Sequence, residues 1–541
     1  MIKEFVVNQI KKSLRLNNFP EVDVIVDVPK NSQFGDLSTN VAMQLTKLLR
    51  RPPREIAREL INKMEIDPNF FEKVEVAGAG FINFKFTPKY LTDVMLHIYN
   101  FRENFGRFKR NGKKANVEYV SANPTGLLHL GHGRNAVIGD TIANLLDIIG
   151  YEVTREYYFN NAGNQMRNLA NSVFARIKQL TDEPHYEMPQ DGYFGEYIID
   201  IAKDYIAEND IKTIEKNDET LLNIQKFAEN WNFRKIKETL NRLNIHQDEY
   251  YNENSLYETG KIESLLEEFK QKGLSYEKDG AIWLKFTELG LDQDRVILKS
   301  TGEPTYRLPD IAYHREKFLR GYDLIVDIFG ADHIATIPDV LAAIRALGFD
   351  DTKVKVVIHQ FVTLTENGQQ VKMSKRSGRS YTLDELIDEV GADVVRFFFL
   401  MRGVNTHLEF DLALAKEQSE KNPVFYLQYA HARMCSILSK IKEEIIISNI
   451  EECNHPNELN LIKKIDEFPD AIQNASRNYE PHILADYLRD LASEFHLFYH
   501  NCRIIGEDTP TMQKRIALLE TAKSVLANGL KILGISAPER M

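Results

Sequence analysis

Two histidines three residues apart, His129 and His132, flank Gly131 in the stretch ANPTGLLHLGH, just ahead of a long apolar-striped segment. The first N–H groups of a helix lack partners within it and carry a partial positive charge, so imidazoles at such a start suit a phosphate. The plain alternative is a helix start with an incidental polar pair. A zinc site on the same two histidines is disfavoured, because no further His, Cys or Glu stands nearby in ligand spacing. Far downstream, VKMSKRSGR gathers Lys372, Lys375, Arg376 and Arg379 around Ser374 and Gly378, a composition that can wrap a polyphosphate or form an exposed basic loop. Two acids complete the set: Glu118 in VEYVSANP, and Asp310 in YRLPD with Tyr306 four residues before it. Either acid alone reads as structural. Two carboxylates aimed at one crevice suit a cationic substrate, and a guanidinium offers a planar fork of donors that carboxylates match.

These residues need elements to position them. ANVEYVS reads as a buried strand, Ala122 to Gly131 as a loop, and Val137, Ile138, Ile142, Leu145, Leu146 and Ile149 as the stripe of a helix running from Arg134 to Gly150. VTREYYFN returns to strand. This βαβ grammar predicts a parallel sheet with a ligand crevice at the strands' C-terminal ends. It resumes with YDLIVDIFGADH and VKVVIHQF as strands and IPDVLAAIRALGF as the crossover helix between them. Residues of about 165–300, charged, Tyr-rich and mostly helical, read as an insertion between the two halves. The first hundred residues form a separate unit in which VEVAGAGFINFKF is strand, turn and strand, and from Asn422 the pattern is almost all helical.

At 541 residues the chain is long enough for about three or four domains. With 43% hydrophobic and 27% charged residues it has globular composition, and no run approaches the roughly 20 apolar residues of a membrane span. The basic N-terminus, MIKEFVVNQIKKSLRLNNF, reads as the first helix of a folded domain rather than a transit peptide, given Glu4 and no acid-free leader. Cys435, Cys453 and Cys502 lie far apart, which fits a reducing cytoplasm and no disulfide framework. A net charge of −11 excludes a uniformly basic nucleic-acid binder but not an RNA partner, since clustering decides binding. One cluster is Arg107, Lys109, Arg110, Lys113 and Lys114, in isolation a solvated linker.

Histidines at a helix start in one half of a split α/β domain, with a Lys-Met-Ser-Lys loop in the other, resemble the HIGH and KMSKS motifs of class I aminoacyl-tRNA synthetases. HLGH differs from HIGH by one aliphatic residue, and KMSKR from KMSKS only at its fifth position. With Glu118, Tyr306 and Asp310 the chain resembles arginyl-tRNA synthetase of the bacterial type over essentially its whole length. NSQFGDLSTNVAM is similar to that family's N-terminal additional domain, which contacts the tRNA elbow; NPVFYLQYAHAR and GLKILGISAPERM are similar to its helical anticodon-binding domain.

The resemblance implies a Rossmann-type α/β catalytic domain (111–421, split by the insertion), an α+β N-terminal domain (1–110) and an all-α C-terminal domain (422–541). It implies that L-arginine reacts with ATP and Mg²⁺ to give arginyl-adenylate and pyrophosphate, and that arginine then passes to the 3′ end of tRNA(Arg). His129, His132, Lys372 and Lys375 are the implied catalytic residues, stabilising phosphate charge by alignment rather than covalent attack. ATP is expected along Ala122, Asn123, Pro124, Thr125, Gly126 and Leu127, and on through Leu128, His129, Leu130, Gly131 and His132. Gly131 would let a flat base approach the backbone. Gly330, Asp332 and His333 would meet ATP from the GADH turn, and Lys372, Met373, Ser374 and Lys375 from the loop. For arginine, Ser121 and Asn123 would hold the α-amino group and Glu118, Tyr306 and Asp310 the guanidinium, with His129, His132 and Asp332 alongside.

A monomeric cytoplasmic enzyme is expected, with no resident metal, no organic cofactor, no membrane and no DNA partner. Tyr426 and Tyr429 are candidates for anticodon contacts, though their helical spacing in an apolar stretch reads as core. Family members generally need bound tRNA before activating arginine, and many have a degenerate loop where this chain keeps both lysines. The rival readings are an HxGH nucleotidyltransferase, an RNA-binding paralogue without catalysis, and a class I lysyl or glutamyl enzyme. The KMSKR loop, the intact histidines and the acid set weigh against these in turn.

Overall fold

In the computed structural model, which describes residues 2–29, 31–371, 381–441 and 450–541 (Ser32 and His333 by backbone alone), a five-stranded sheet forms the centre. Its strands are β1 (Lys114–Glu118), β2 (Glu152–Phe159), β3 (Glu249–Asn252), β4 (Leu324–Gly330) and β5 (Val354–His359). They lie in the order β3-β2-β1-β4-β5 and are parallel throughout. Ala115, Val117, Ile325, Val326 and Ile328 are all buried, since a parallel sheet is covered on both faces. The strand order reverses between β1 and β4, which puts the ligand crevice beyond their C-terminal ends.

Helix α1 (Leu130–Ile148) packs against β1, β2 and β4. It starts at Leu130, earlier than its apolar stripe suggests, because the histidines themselves cap it. Helix α2 (Arg307–Leu319) precedes β4, and α3 (Ile337–Ala346) crosses from β4 to β5.

The pairing register sets four carboxylates abreast: Asp327 beside Glu118, Glu118 beside Glu156, and Glu156 beside Glu249. Like charges on adjacent strands repel, and α2 supplies the counterions. Lys317 lies 2.6 Å from both Glu118 and Asp327, while Arg320, the C-cap of α2, pairs through both terminal nitrogens with Glu156 and at 3.0 Å with Glu249. Tyr313 donates its hydroxyl to Glu156.

The stretch read as one insertion divides around β3. Helices Gly163–Leu180, Glu196–Asn209 and Asp218–Arg242 share their own core before it. A three-stranded antiparallel sheet, Ser275–Lys278, Ala281–Leu284 and Arg295–Leu298, follows it. Four strand residues amid charged helices are too few for alternation to show.

The N-terminal unit packs helices Ile2–Leu16, Val41–Leu49 and Pro53–Lys63 with an antiparallel sheet whose hairpin is Phe71–Ala77 and Phe81–Phe86. It docks on the C-terminal helices, where the Ile2 N–H donates to Asp466 at 3.1 Å and Lys463 pairs with Asp36 at 2.9 Å. Arg396, 1% exposed, joins three parts of the chain. It donates to Asp140 on α1 at 2.6 Å, to the Leu243 carbonyl at 2.7 Å and to the Leu533 carbonyl at 2.8 Å. Among the described residues, no helix is long and apolar enough to cross a membrane. The architecture is thus a Rossmann-type α/β domain between an α+β N-terminal unit and a helical C-terminal one.

Candidate active site

His129 is the N-cap of α1, and the two histidines cap each other. His129 Nδ1 accepts the Gly131 and His132 N–H groups at 3.1 and 3.4 Å, and His132 Nδ1 accepts the His129 N–H at 3.4 Å. Both Nδ1 atoms are therefore acceptors, which leaves each neutral ring its proton on Nε2. The rings stack with centroids 3.7 Å apart, an arrangement two imidazolium ions would resist. Burial holds both below the ordinary histidine range, and His129 and His359 add to the depression of His132, down to about 3. The site thus presents two neutral N–H donors at a helix N-terminus. The close approach that Gly131 serves here is to the His129 ring, whose Cε1 would lie 3.0 Å from a Cβ.

The loop ahead of α1 is held by its carbonyls. Tyr157 and Tyr197 donate hydroxyls to Ala122 and Thr125 at 2.7 and 2.8 Å, and Asn232 donates to Pro124 at 2.9 Å. Gly126 sits against the Tyr197 hydroxyl, Leu127 packs on the helical insertion, and Leu128 and Leu130 are buried. A cleft of about 1490 Å³ opens beside this loop, lined by both histidines, Trp231, Arg234 and Thr382.

A second pocket, about 420 Å³, lies at the strand-order reversal and shares Asn123 with that cleft. Val120 and Ser121 leave β1 with φ of 68° and 44°, a left-handed turn that is strained for a β-branched residue. Asn135 of α1 secures it: its Oδ1 accepts the Val120 N–H at 2.6 Å, while Nδ2 donates to the Ile328 carbonyl at 2.8 Å and lies 3.2 Å from His359 Nε2. Strands β1, β4 and β5 are thereby stapled at one point.

Within this pocket the acids differ. Glu118 receives Lys317 Nζ at 2.6 Å and the Ser121 hydroxyl at 2.9 Å, so each oxygen already has a donor. Burial pushes its pKa up and Lys317 opposes the shift. The Asp310 carboxylate makes no hydrogen bond or ion pair among the described residues. Burial raises its pKa to about 7; His314 pulls it down, and Glu118 and Glu253 push it up.

Glu253, which sequence reasoning missed, lines the same pocket just past β3 and accepts from the Tyr158 hydroxyl and Asn160 Nδ2, both at 2.7 Å. An acid at the C-terminal end of a parallel strand would have been the signal, had the strand been visible.

The remaining sequence candidates are placed as follows. Ser121 accepts the Tyr158 N–H at 3.2 Å, and Asn123 donates to Gln165 and accepts from the Asn160 N–H, both at 2.9 Å. Tyr306 stands at the pocket mouth, its residue 84% exposed. Gly330 and Asp332 line the rim, and His333 contributes backbone to the turn Ala331–His333. Lys372, Met373, Ser374, Lys375 and Arg376 lie outside the described residues. The residues that follow them meet the histidine site: Thr382 bridges to His129, and the Leu383 N–H donates to the Leu128 carbonyl at 2.8 Å. In the C-terminal unit Tyr426 packs on the core and against His496, while Tyr429 is 37% exposed.

Comparison with known proteins finds three family domains along the chain. Residues 97–397 match the tRNA synthetases class I (R) catalytic domain, residues 1–86 the arginyl tRNA synthetase N terminal domain, and residues 427–541 the DALR anticodon binding domain. Arginine–tRNA ligase of Desulfotalea psychrophila is 48% identical, covering 95% of this chain and 94% of its own. The Salinibacter ruber arginine–tRNA ligase is also 48% identical, with both chains covered in full. Arginyl-tRNA synthetase of Thermus thermophilus, 23% identical, shares the fold over both whole chains with a TM-score of 0.80. The chain belongs to the arginyl-tRNA synthetase family of class I aminoacyl-tRNA synthetases.

Proposed function

We infer that this protein is an arginine–tRNA ligase: it activates L-arginine with ATP and transfers it to the 3′ end of tRNA(Arg). The observation that carries the choice of amino acid is Asp310, a pocket-wall carboxylate without a hydrogen bond or ion pair among the described residues, with Glu253 beside it. Arginine enters with its guanidinium on these two acids, Glu118 behind them and Tyr306 at the mouth. Its α-ammonium group reaches the remaining lone pairs of Ser121 Oγ and Asn123 Oδ1. That places the substrate carboxylate towards the histidine cleft.

There one carboxylate oxygen attacks the α-phosphorus of ATP, the bond to the β-phosphate oxygen breaks, and pyrophosphate leaves. His129 and His132 donate Nε2–H to phosphate oxygens, while Asp332 and the backbone of Gly330 and His333 meet the nucleoside. We assign Lys372 and Lys375 to the departing pyrophosphate. Neutral donors and lysines fixed where charge develops lower the barrier without covalent participation. Mg²⁺ would arrive on the ATP phosphates.

We take residues 1–110 as the tRNA-elbow domain, 111–421 as catalytic and 422–541 as anticodon-binding, in a monomer that works in the cytoplasm. Arginine-dependent ATP–pyrophosphate exchange, run with and without tRNA(Arg), tests the reading. Exchange that requires arginine is expected. No exchange with arginine under either condition would remove it, and would bring the HxGH nucleotidyltransferases forward.

A further inference from the structure

The row of carboxylates under the arginine pocket needs more positive charge than its two obvious counterions supply. Asp327, Glu118, Glu156 and Glu249 stand side by side, and Lys317 and Arg320 answer them. The third counterion is found in the hydrogen bonds of His314, one helical turn after Asp310 on α2.

His314 is 6% exposed, and both its ring nitrogens face acceptors. Nδ1 lies 2.8 Å from the Asp310 carbonyl oxygen, which can only accept, so Nδ1 carries a proton. Nε2 lies 3.0 Å from Asp327 Oδ2, while Asp327 Oδ1 holds Lys317 Nζ at 2.6 Å. Burial alone would raise the Asp327 pKa, but Lys317 and His314 outweigh it and hold the group below the carboxylate range. With the Lys317 ammonium on Oδ1, Asp327 is the anion, so Nε2 carries a proton too. A ring that donates from both nitrogens is an imidazolium. In agreement, the charge and hydrogen bond of Asp327 overcome burial and raise the His314 pKa. The charged and titratable groups around the ring are Asp327 from β4, Glu118 from β1, and Asp310, Tyr313 and Lys317 from α2 itself.

We propose that His314, as an imidazolium, is the positioning residue of the arginine pocket. It cancels charge at Asp327, pins the turn that carries Asp310 and favours the charged form of Asp310, so the carboxylates left to face a substrate are Asp310 and Glu253. Selection of a cationic side chain then depends on His314, which lies in the pocket wall and acts through Asp327 and the turn of Asp310. The inference rests on the assignment of those two acids to the guanidinium.

The test compares three variants in tRNA-supported ATP–pyrophosphate exchange between about pH 6 and 9, with thermal unfolding recorded for each. His314→Gln keeps an N–H donor near Asp327 but removes the charge. Asp327→Asn removes the opposing charge, and the double variant removes one of each sign. Each single variant is expected to raise the arginine KM by about tenfold with the ATP KM little changed, and His314→Gln to lose any alkaline rise in arginine KM. The double variant is expected to recover most of the affinity. A purely structural role would instead move both KM values together or leave the double variant no better than the singles; either result overturns the proposal. Should His314→Gln fail to fold, Asp327→Asn against the double variant carries the same comparison.

Histidine-selective ¹⁵N spectra of the wild type give a readout without activity. The signal lost in the double variant should report both ring nitrogens protonated near neutral pH, and a neutral tautomer there would defeat the inference. Wild type that lacks arginine-dependent exchange would defeat the ligase reading, while the spectrum would still judge the protonation.

Discussion

Asp310 and Glu118 are both acids on pocket walls, yet their partners give them different work. Glu118 arrives with a donor on each oxygen, whereas Asp310 is left for the substrate. A charge-assisted hydrogen bond contributes about 1.5–3 kcal/mol, so Asp310→Asn should raise the arginine KM by about 10- to 100-fold and leave the ATP KM nearly unchanged. Parallel rises in both would count against the assignment.

The same residue sets a pH dependence. With a pKa of about 7, Asp310 is protonated and uncharged on the acid side, while the guanidinium keeps its charge throughout. The arginine KM should therefore fall as pH rises through about 7, and Asp310→Asn should flatten that limb. A wild-type profile flat from about pH 6 to 8 would contradict the burial argument. For the loop, Lys375→Ala should slow activation while arginine affinity stays nearly intact, and normal turnover would take Lys375 out of the mechanism. Both acids were legible in the sequence as acids. Which one is satisfied was not, because the answer is Lys317, 199 residues from Glu118.

At the scale of elements, the site depends on strand ends being held in one arrangement. Asn135 does this with three contacts on β1, β4 and β5, offsetting the strained turn at Val120 and Ser121. Asn135→Ala should raise the arginine and ATP KM values together and lower the unfolding temperature, since it strands buried polar groups at about 1–3 kcal/mol each. A selective effect on one substrate would show that the staple serves only one pocket. The βαβ order, the crossover helix and the histidine-bearing helix start were readable because apolar runs and stripes have periods. Strand β3 and Glu253 were not, since Glu249–Asn252 is four residues long. Nor could the carboxylate row be read: each acid sits in a different strand, and only pairing brings them abreast.

Across the whole molecule, the catalytic and C-terminal domains are tied by a buried charge. Arg396→Met would leave the Asp140 carboxylate on α1 without its counterion, a change that costs about 3–5 kcal/mol in buried pairs. The unfolding temperature should drop by several degrees, and an unchanged value would show that water or another cation reaches Asp140.

The same node bears on synthesis. Domains fold as they leave the ribosome, N-terminal parts first. Asp140 emerges early, Arg396 follows 256 residues later, and the Leu533 carbonyl that Arg396 also needs comes 137 residues after that. The helix that bears the histidines therefore cannot reach its final packing before residue 533 has been added. A nascent copy of this enzyme holds that node incomplete until residue 533 has been translated.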